Sequence, residues 1–353
     1  MTTTDLGDRS AFTDRVIADL ATAAHAATVV LGDRLGLYRA LADAGPATPA
    51  EVAASADCDE RYVIEWLNAQ AAAGYCGYDE ETGRYWLTEE QAACLADEDG
   101  PEFLAAGMMV AGALFKIEGR LADAVRTGRG FSWADHHHDL FAGLERFTRP
   151  SYQAHLVEHW IPALDGMSAR LATGARVADV GCGRGAATIL LASAFPAATV
   201  VGFDLHGPSL GYARKTAVEA GVADRVRFEV AGAQDFPGAG YDLVCMLDAL
   251  HDMADPVGAA ARIRAALSPD GVWLLVEPVA GETVAANLTE AGRLYYSLST
   301  LVCTPAARAQ PGGWALGAAA SEAQLRGLCA RAGFSRFRSI AANRLHRVFE
   351  VRP

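Results

Sequence analysis

No stretch of the 353-residue chain approaches the roughly 18 uninterrupted apolar residues that a membrane-spanning helix needs, so no membrane partner is expected. The N-terminus, MTTTDLGDRS, lacks the basic and apolar regions of a secretory signal, and a cytoplasmic location follows by default. CxxC pairs are missing too. The seven cysteines (58, 76, 94, 182, 245, 303 and 329) are odd in number and widely spaced, which fits reduced, mostly buried thiols better than a disulfide frame or a zinc site. There is no internal repeat, and no low-complexity segment beyond general alanine richness. Lysine is absent from the first hundred residues, where six arginines face nineteen acidic residues; the remainder is balanced, so the whole net charge of −13 sits in the N-terminal part.

What is present begins with helices. Residues 10–28 and the stretch GDRLGLYRALADAG have apolar residues at helical spacing. TPAEVAASA opens with Thr48 as N-cap, Pro49 at the first helical position and Glu51 three residues after the cap, the capping-box pattern. DERYVIEWLNAQAAAGY reads as a third helix ended by Gly74, and CGYDEETGRYWLTEE as a hairpin turning at Thr82-Gly83. Three helices and a two-stranded ribbon make a winged helix. Its charge has the wrong sign for nucleic acid: the would-be reading helix carries Asp59, Glu60 and Glu65 against Arg61, and the wing Asp79, Glu80 and Glu81 against Arg84. A dimerisation role is the expectation, because residues 101–128, read as one long apolar helix, exceed what one small acidic module can cover, and no nucleic-acid partner is expected. The loop TGRGFSWADHHHDLF follows. Adjacent histidines on a loop point different ways and no second cluster has ligand spacing, so His136-His137-His138 is read as covering a cleft, with His138 facing substrate, and no metal is expected.

From about residue 175 strands and helices alternate: ARVADV, RGAATILLASAF, TVVGFD, PSLGYARKTAVEAG, VRFEV, YDLVCML, PVGAAARIRAAL and GVWLLVE. Near-continuous apolar strands of this kind form a parallel sheet covered on both faces. FSRFRSI and HRVFEVR have only a short turn between them and are expected to pair antiparallel at one edge, giving a seven-stranded α/β sheet with a reversed last strand. In VADVGCGRGAAT, Gly181, Gly183 and Gly185 let the backbone turn sharply and approach a ligand at a helix N-terminus, and Asp204 ends the next strand where an acid can hold ribose hydroxyls. GCGRGA also satisfies the dinucleotide pattern GxGxxA. Asp179 separates the two readings: a carboxylate two residues before Gly181 repels a pyrophosphate and attracts an ammonium group.

With these motifs on the page, the chain from about 175 to its end resembles the class I S-adenosylmethionine-dependent methyltransferases: VADVGCGRG, VVGFDLH, RVRFEVAGAQDFP, YDLVCMLDALHDM and SPDGVWLLVEP look like their five successive motifs. With the winged-helix front end, the whole is similar to bacterial small-molecule methyltransferases laid out like the plant and antibiotic-pathway O-methyltransferases, whose N-terminal domains dimerise. The resemblance implies a Rossmann-like seven-stranded methyltransferase sheet behind an N-terminal helical winged-helix domain, divided as 1–100 (winged helix, dimerisation), 101–165 (helical linker covering the cleft) and 166–353 (cofactor-binding catalytic domain). It implies S-adenosyl-L-methionine as cofactor, with Asp179 and the Gly181–Gly185 loop on the methionine part, Asp204 on the ribose, Leu205 against the adenine, and Ala233, Gln234 and Asp235 at its edge; Asp248 joins this set. Gly232 departs from the pattern, since many relatives have an acid there, and Asp235 is the substitute.

The fourth strand ends in His251-Asp252, where the O-methyltransferases that the chain resembles have a histidine that deprotonates the acceptor hydroxyl; Glu277 matches the glutamate that orients it. The bland alternative makes this turn a polar lead-in to a helix capped by Asp255-Pro256. Residues 279–320 exceed an ordinary connection and are expected to build an acceptor pocket with Tyr152, Tyr295, Tyr296 and Trp314 as lining candidates, although the two tyrosines could equally be helix packing. The expected function is methyl transfer to a hydroxyl of a small organic acceptor; the alternatives are a non-methyl reaction steered by the bound sulfonium, and a ligand-binding winged-helix regulator.

Overall fold

The structure, a computed structural model, describes residues 3–353, with side chains from residue 11 onward. It divides into two compact units, Met1–Lys116 with His138–Ser151, and Ile117–His137 with Tyr152–Pro353.

The first unit is built from α1 (Thr3–Leu35), α2 (Leu37–Ala44), α3 (Pro49–Ser55) and α4 (Glu60–Ala72), then the antiparallel pair β1 (Gly77–Asp79) and β2 (Arg84–Trp86), then α5 (Glu89–Leu95) and α6 (Ala105–Phe115). Local chemistry sets each boundary. The Thr48–Glu51 capping box is present, Asp59 accepts from the Arg61 and Tyr62 amides at the start of α4, and Gly83 turns the hairpin at φ 64°. The first helix is longer than expected. It runs through Gly32 to Leu35 and breaks at Gly36, which takes the left-handed conformation at φ 71°. At Gly32 the Trp66 indole occupies the place a side chain would take, and that indole is pinned by its Nε1 donating to the Thr28 carbonyl at 2.9 Å. Tyr38, Leu41, Trp66, Leu67 and Phe103 fill the core around it. At its edge Arg146 donates to both carboxylate oxygens of Asp33 (2.6 and 2.9 Å) and to Glu98 (2.7 Å).

The expected single helix over 101–128 is two: α6 ends at Phe115, and α7 (Glu118–Thr127) starts afresh after Lys116-Ile117. Opposite demands on neighbouring residues explain the break. Lys116 donates to Asp139 at 2.7 Å in the first unit, whereas Ile117 is buried with Leu121 and Phe131 in the second. Between Lys116 and Ile117 the chain passes from one unit to the other.

The second unit holds a seven-stranded sheet, preceded by the end of α8 (His138–His155) and by α9 (Met167–Gly174). Its strands and helices follow in the order β3 (Arg176–Val180), α10 (Ala186–Ala194), β4 (Thr199–Asp204), α11 (Gly207–Glu219), β5 (Val226–Val230), β6 (Tyr241–Leu247), α12 (Pro256–Ala266), β7 (Leu267–Pro278), α13 (Glu290–Leu298), α14 (Thr304–Arg308), α15 (Glu322–Arg331), β8 (Arg336–Ala342) and β9 (His346–Arg352). The spatial order is β5-β4-β3-β6-β7-β9-β8, parallel except for β9, which runs against both neighbours. Alternation along β6 and β7 sends Leu243, Cys245, Val272 and Leu274 into one core, with Trp160, Leu191 and Leu210. Val244, Met246, Trp273 and Leu275 go into the other, with Ile263, Leu328 and Phe349. The order reverses between β3 and β6, so a crevice opens beyond the carboxyl ends of those two strands, the usual ligand position in such sheets.

The pinned indole gives a direct check on the first unit. Gly32→Ala sets a methyl 2.5 Å from the Trp66 ring. It is expected to destabilise this unit by about 1–3 kcal/mol, read from urea unfolding by tryptophan fluorescence. An unchanged midpoint would show that Trp66 is free to yield.

Candidate active site

At the first side of the crevice, the loop after β3 turns through Gly181, Gly183 and Gly185, all with positive φ (78°, 53° and 82°). A side chain at Gly181 would lie 2.6 Å from the Ala249 Cβ, so only glycine lets this loop close against the segment after β6. Asp204, at the end of β4, braces the loop: one carboxylate oxygen accepts from the Gly183 amide and the other from His206, each at 2.8 Å. Burial pushes its pKa up, against the pull of those amides. Asp179 is buried at the end of β3 and accepts from the Thr188 hydroxyl at 2.5 Å. Burial, helped by the nearby Asp204 charge, raises its pKa to about 6. A buried acid next to another acid favours a cationic ligand group between the loop and the strand end.

The adenine-edge candidates lie on the next turn. Leu205 is exposed and Ala233 buried, while Gln234 and Asp235 face solvent. Asp235 is turned back on its own loop, where it accepts from the Gly232 amide at 2.9 Å; a side chain at 232 would meet that oxygen at 2.9 Å. The glycine and the displaced acid are therefore one local arrangement.

At the other side, the chain leaves β6 through Asp248, whose φ of 52° is rare for a residue with a side chain. A single 3₁₀ turn, Leu250–Asp252, follows. Glu277, buried at the end of β7, grips this turn at two points: Oε1 accepts from the Leu250 amide at 3.0 Å, and Oε2 takes the Nδ1 hydrogen of His251 at 2.7 Å. With Nδ1 as donor, the neutral ring carries its lone pair on Nε2. Burial disfavours the charged ring, but Glu277, Asp252 and Cys303 outweigh it and hold the His251 pKa well above the usual histidine range. His251 is thus a strong proton acceptor in a fixed orientation. Asp252 is not a helix cap. That place belongs to Asp255, which accepts from the Gly258 amide at 2.8 Å; an Asp252 oxygen lies 3.6 Å from His251 Nε2, beyond hydrogen-bond reach.

The remaining candidates divide. Tyr152 donates to Asp248 at 3.0 Å, and Asp248 also pairs with His346 at 2.8 Å. Burial works against the Asp248 charge, yet His346 and Tyr152 hold its pKa below the carboxylate range. Tyr295 is buried and donates to the Leu345 carbonyl at 2.6 Å, so its hydroxyl is taken up in packing. Tyr296 accepts from the Asn287 amide at 3.1 Å. Trp314 has the Arg331 guanidinium over its ring, 4.8 Å from the centroid, and its amide donates to the Ala254 carbonyl at 3.1 Å. His138 and His136 are placed differently. His138 starts α8 in the first unit with its side chain 82% exposed, and it is His136, buried between Phe131 and Trp133, that comes near enough to Asp252 to feel its charge. Three residues were missed: Thr188, His346 and Cys303. The last arrives at the His251 turn from a π-helical turn, Ser299–Cys303, fifty residues downstream, and no local spacing could have shown it.

Sheet order, glycine loop and strand-end acids define a Rossmann-like domain built for a nucleoside-type ligand. Residues 171–333 match the family described as Methyltransferase domain, and residues 23–97 match the Rv2258c-like winged HTH domain. The acetylserotonin O-methyltransferase of Mus musculus is 31% identical over 252 residues, 65% of this chain and 59% of that protein. The 27-O-demethylrifamycin SV methyltransferase of Amycolatopsis mediterranei is 34% identical over 131 residues, 35% of this chain and 48% of that protein. The chain thus spans less than two thirds of the length of these curated relatives. Among solved structures, the mitomycin 7-O-methyltransferase MmcR superposes with a TM-score of 0.71 at 21% identity, over 99% of this chain and 100% of that one, a likeness of fold.

Proposed function

We propose that the protein transfers a methyl group from S-adenosylmethionine to a hydroxyl of a small organic acceptor, with His251 as general base. The observation that carries this is the Glu277-held histidine, whose ring nitrogen Nε2 is left to accept a proton on the turn packed against the glycine loop. Bound there, the cofactor supplies an activated methyl on a sulfonium. The chain supplies the rest. Asp179 and the Gly181–Gly185 loop receive the methionine part, with the buried carboxylate matched to an ammonium, and Asp204, with lone pairs beyond its two backbone amides, receives ribose hydroxyls. Leu205 packs on the adenine. His251 takes the acceptor proton, Glu277 steadies the resulting imidazolium, and Asp252 adds negative charge beside it. Asp248, locked by Tyr152 and His346, fixes the exit from β6. The names of the relatives and of the mitomycin enzyme, all methyltransferases acting at oxygen where the name says so, support the oxygen acceptor.

The first unit serves as a dimerisation module. On α1, Phe12, Val16, Ile17 and Leu20 form an exposed apolar stripe at helical spacing, continued by Leu31 and Leu35. The segment Ala11–Leu35 is also long and apolar enough to cross a membrane, but Asp14, Arg15, Asp19, Asp33 and Arg34 interrupt it, which suits a second copy of the same helix better than lipid. Light scattering is expected to show a dimer at micromolar concentration, and Leu20→Glu a monomer; a wild-type monomer would refute this.

The cofactor pocket has a pH signature. A cationic amino group binds ionised Asp179, which carries a proton below about pH 6. Affinity for S-adenosylhomocysteine, by calorimetry, is expected to be flat above that pH and to fall about tenfold per unit below it, whereas NAD and NADP bind at neither. A pH-independent affinity would remove Asp179 from the contact.

The base is tested with isotopically labelled methyl. His251→Ala is expected to leave S-adenosylhomocysteine affinity within a few-fold and to lower turnover by about 10²- to 10⁴-fold. Intact turnover would mean an acceptor that needs no deprotonation.

A further inference from the structure

Three donor groups meet at the end of β6 in a way that proton abstraction does not require. His251 Nε2, an Asp252 carboxylate oxygen and the Cys303 thiol lie with their ligand atoms all within 4.8 Å of one another. The Asp252 oxygen that faces Nε2 at 3.6 Å is buried. The ring nitrogen, the carboxylate oxygen and the thiol therefore converge on one small space.

We propose that this cluster is a zinc-binding site, with His251 Nε2, the Asp252 carboxylate and the Cys303 thiolate as ligands and the fourth position open. Nitrogen and oxygen ligands bonded at about 2.0–2.1 Å with a tetrahedral angle lie about 3.3–3.4 Å apart, a few tenths of an ångström inside the 3.6 Å between this pair. One imidazole, one carboxylate and one thiolate suit a borderline-soft ion better than magnesium or calcium. The surroundings match as well. Glu277 on Nδ1 is the outer carboxylate that commonly orients a metal-bound histidine. The π-helical turn delivers Cys303 to the cluster in place, nearly fully buried, and on binding the thiol proton leaves to solvent while sulfur bonds the metal. Zinc takes the lone pair that the base needs, so occupancy and proton abstraction exclude each other, and the ion acts as an inhibitor at this position. The exposed histidine at 138, outside this unit, is no part of it.

The test uses the full-length protein and the metals alone, so its outcome does not depend on whether methyl transfer is the net reaction. Cobalt(II) at one equivalent is expected to give tetrahedral visible bands and a thiolate charge-transfer band in the near ultraviolet, the latter lost in Cys303→Ser. Zinc affinity by chelator competition is expected to fall at least tenfold in Asp252→Asn and about 10- to 100-fold in Glu277→Gln. X-ray absorption on the wild-type zinc complex, which needs no variant to fold, should show one sulfur at about 2.3 Å and the other ligands at about 2.0 Å. The melting shift given by S-adenosylhomocysteine should survive zinc loading. A shell of nitrogen and oxygen only, a charge-transfer band that persists in Cys303→Ser, or no stoichiometric metal in the wild type would each overturn the site.

Discussion

The active end of this molecule depends on one buried carboxylate. Glu277 lies at the end of an interior strand among apolar neighbours, where an unpaired charge would be costly. It is made tolerable by two donors from one short turn, the Leu250 amide and the His251 ring. The pairing works in both directions. The strand end fixes the turn, the turn fixes the imidazole, and the closeness of Ala249 to Gly181 ties the same turn to the cofactor loop. A histidine on a free loop would have no defined Nε2 direction; here the sheet supplies it.

The same logic repeats with different partners around the crevice. Asp204 closes the glycine loop, Asp179 is set on Thr188, and Asp248 is held between Tyr152 and His346 in a backbone conformation that few residues tolerate. Each is an acid at or just beyond a strand end. Burial and a few defined partners, rather than solvent, decide its charge. Such concentration of perturbed groups in one place is what marks a functional crevice against a sheet edge.

What the sequence made legible was what it writes locally. The capping box at Thr48, the left-handed glycines, the alternating apolar strands and the antiparallel final strand all follow from residues within a few positions of one another. His251 and Glu277 were paired through a family likeness, and their geometry appears only when β6 and β7 lie side by side. Contacts between distant segments stayed hidden: Cys303 reaches the turn from a connecting segment, and His346 reaches Asp248 from the last strand. The partners of Tyr295 and Trp314, a backbone carbonyl fifty positions away and an arginine on α15, could not be read from the linear sequence either. The break at Lys116-Ile117 was invisible because composition favours one helix there, and only the competing pulls of Asp139 and the Leu121–Phe131 cluster divide it.

The account stands or falls on where the ligand's sulfur sits relative to His251. A crystal structure of the complex with S-adenosylhomocysteine measures that directly. The expected result has the amino group on Asp179, the ribose on Asp204 and the sulfur turned towards Nε2 of His251, with room for one acceptor between them. A sulfur pointing away from the Leu250–Asp252 turn, or a ligand bound outside the glycine loop, would contradict it.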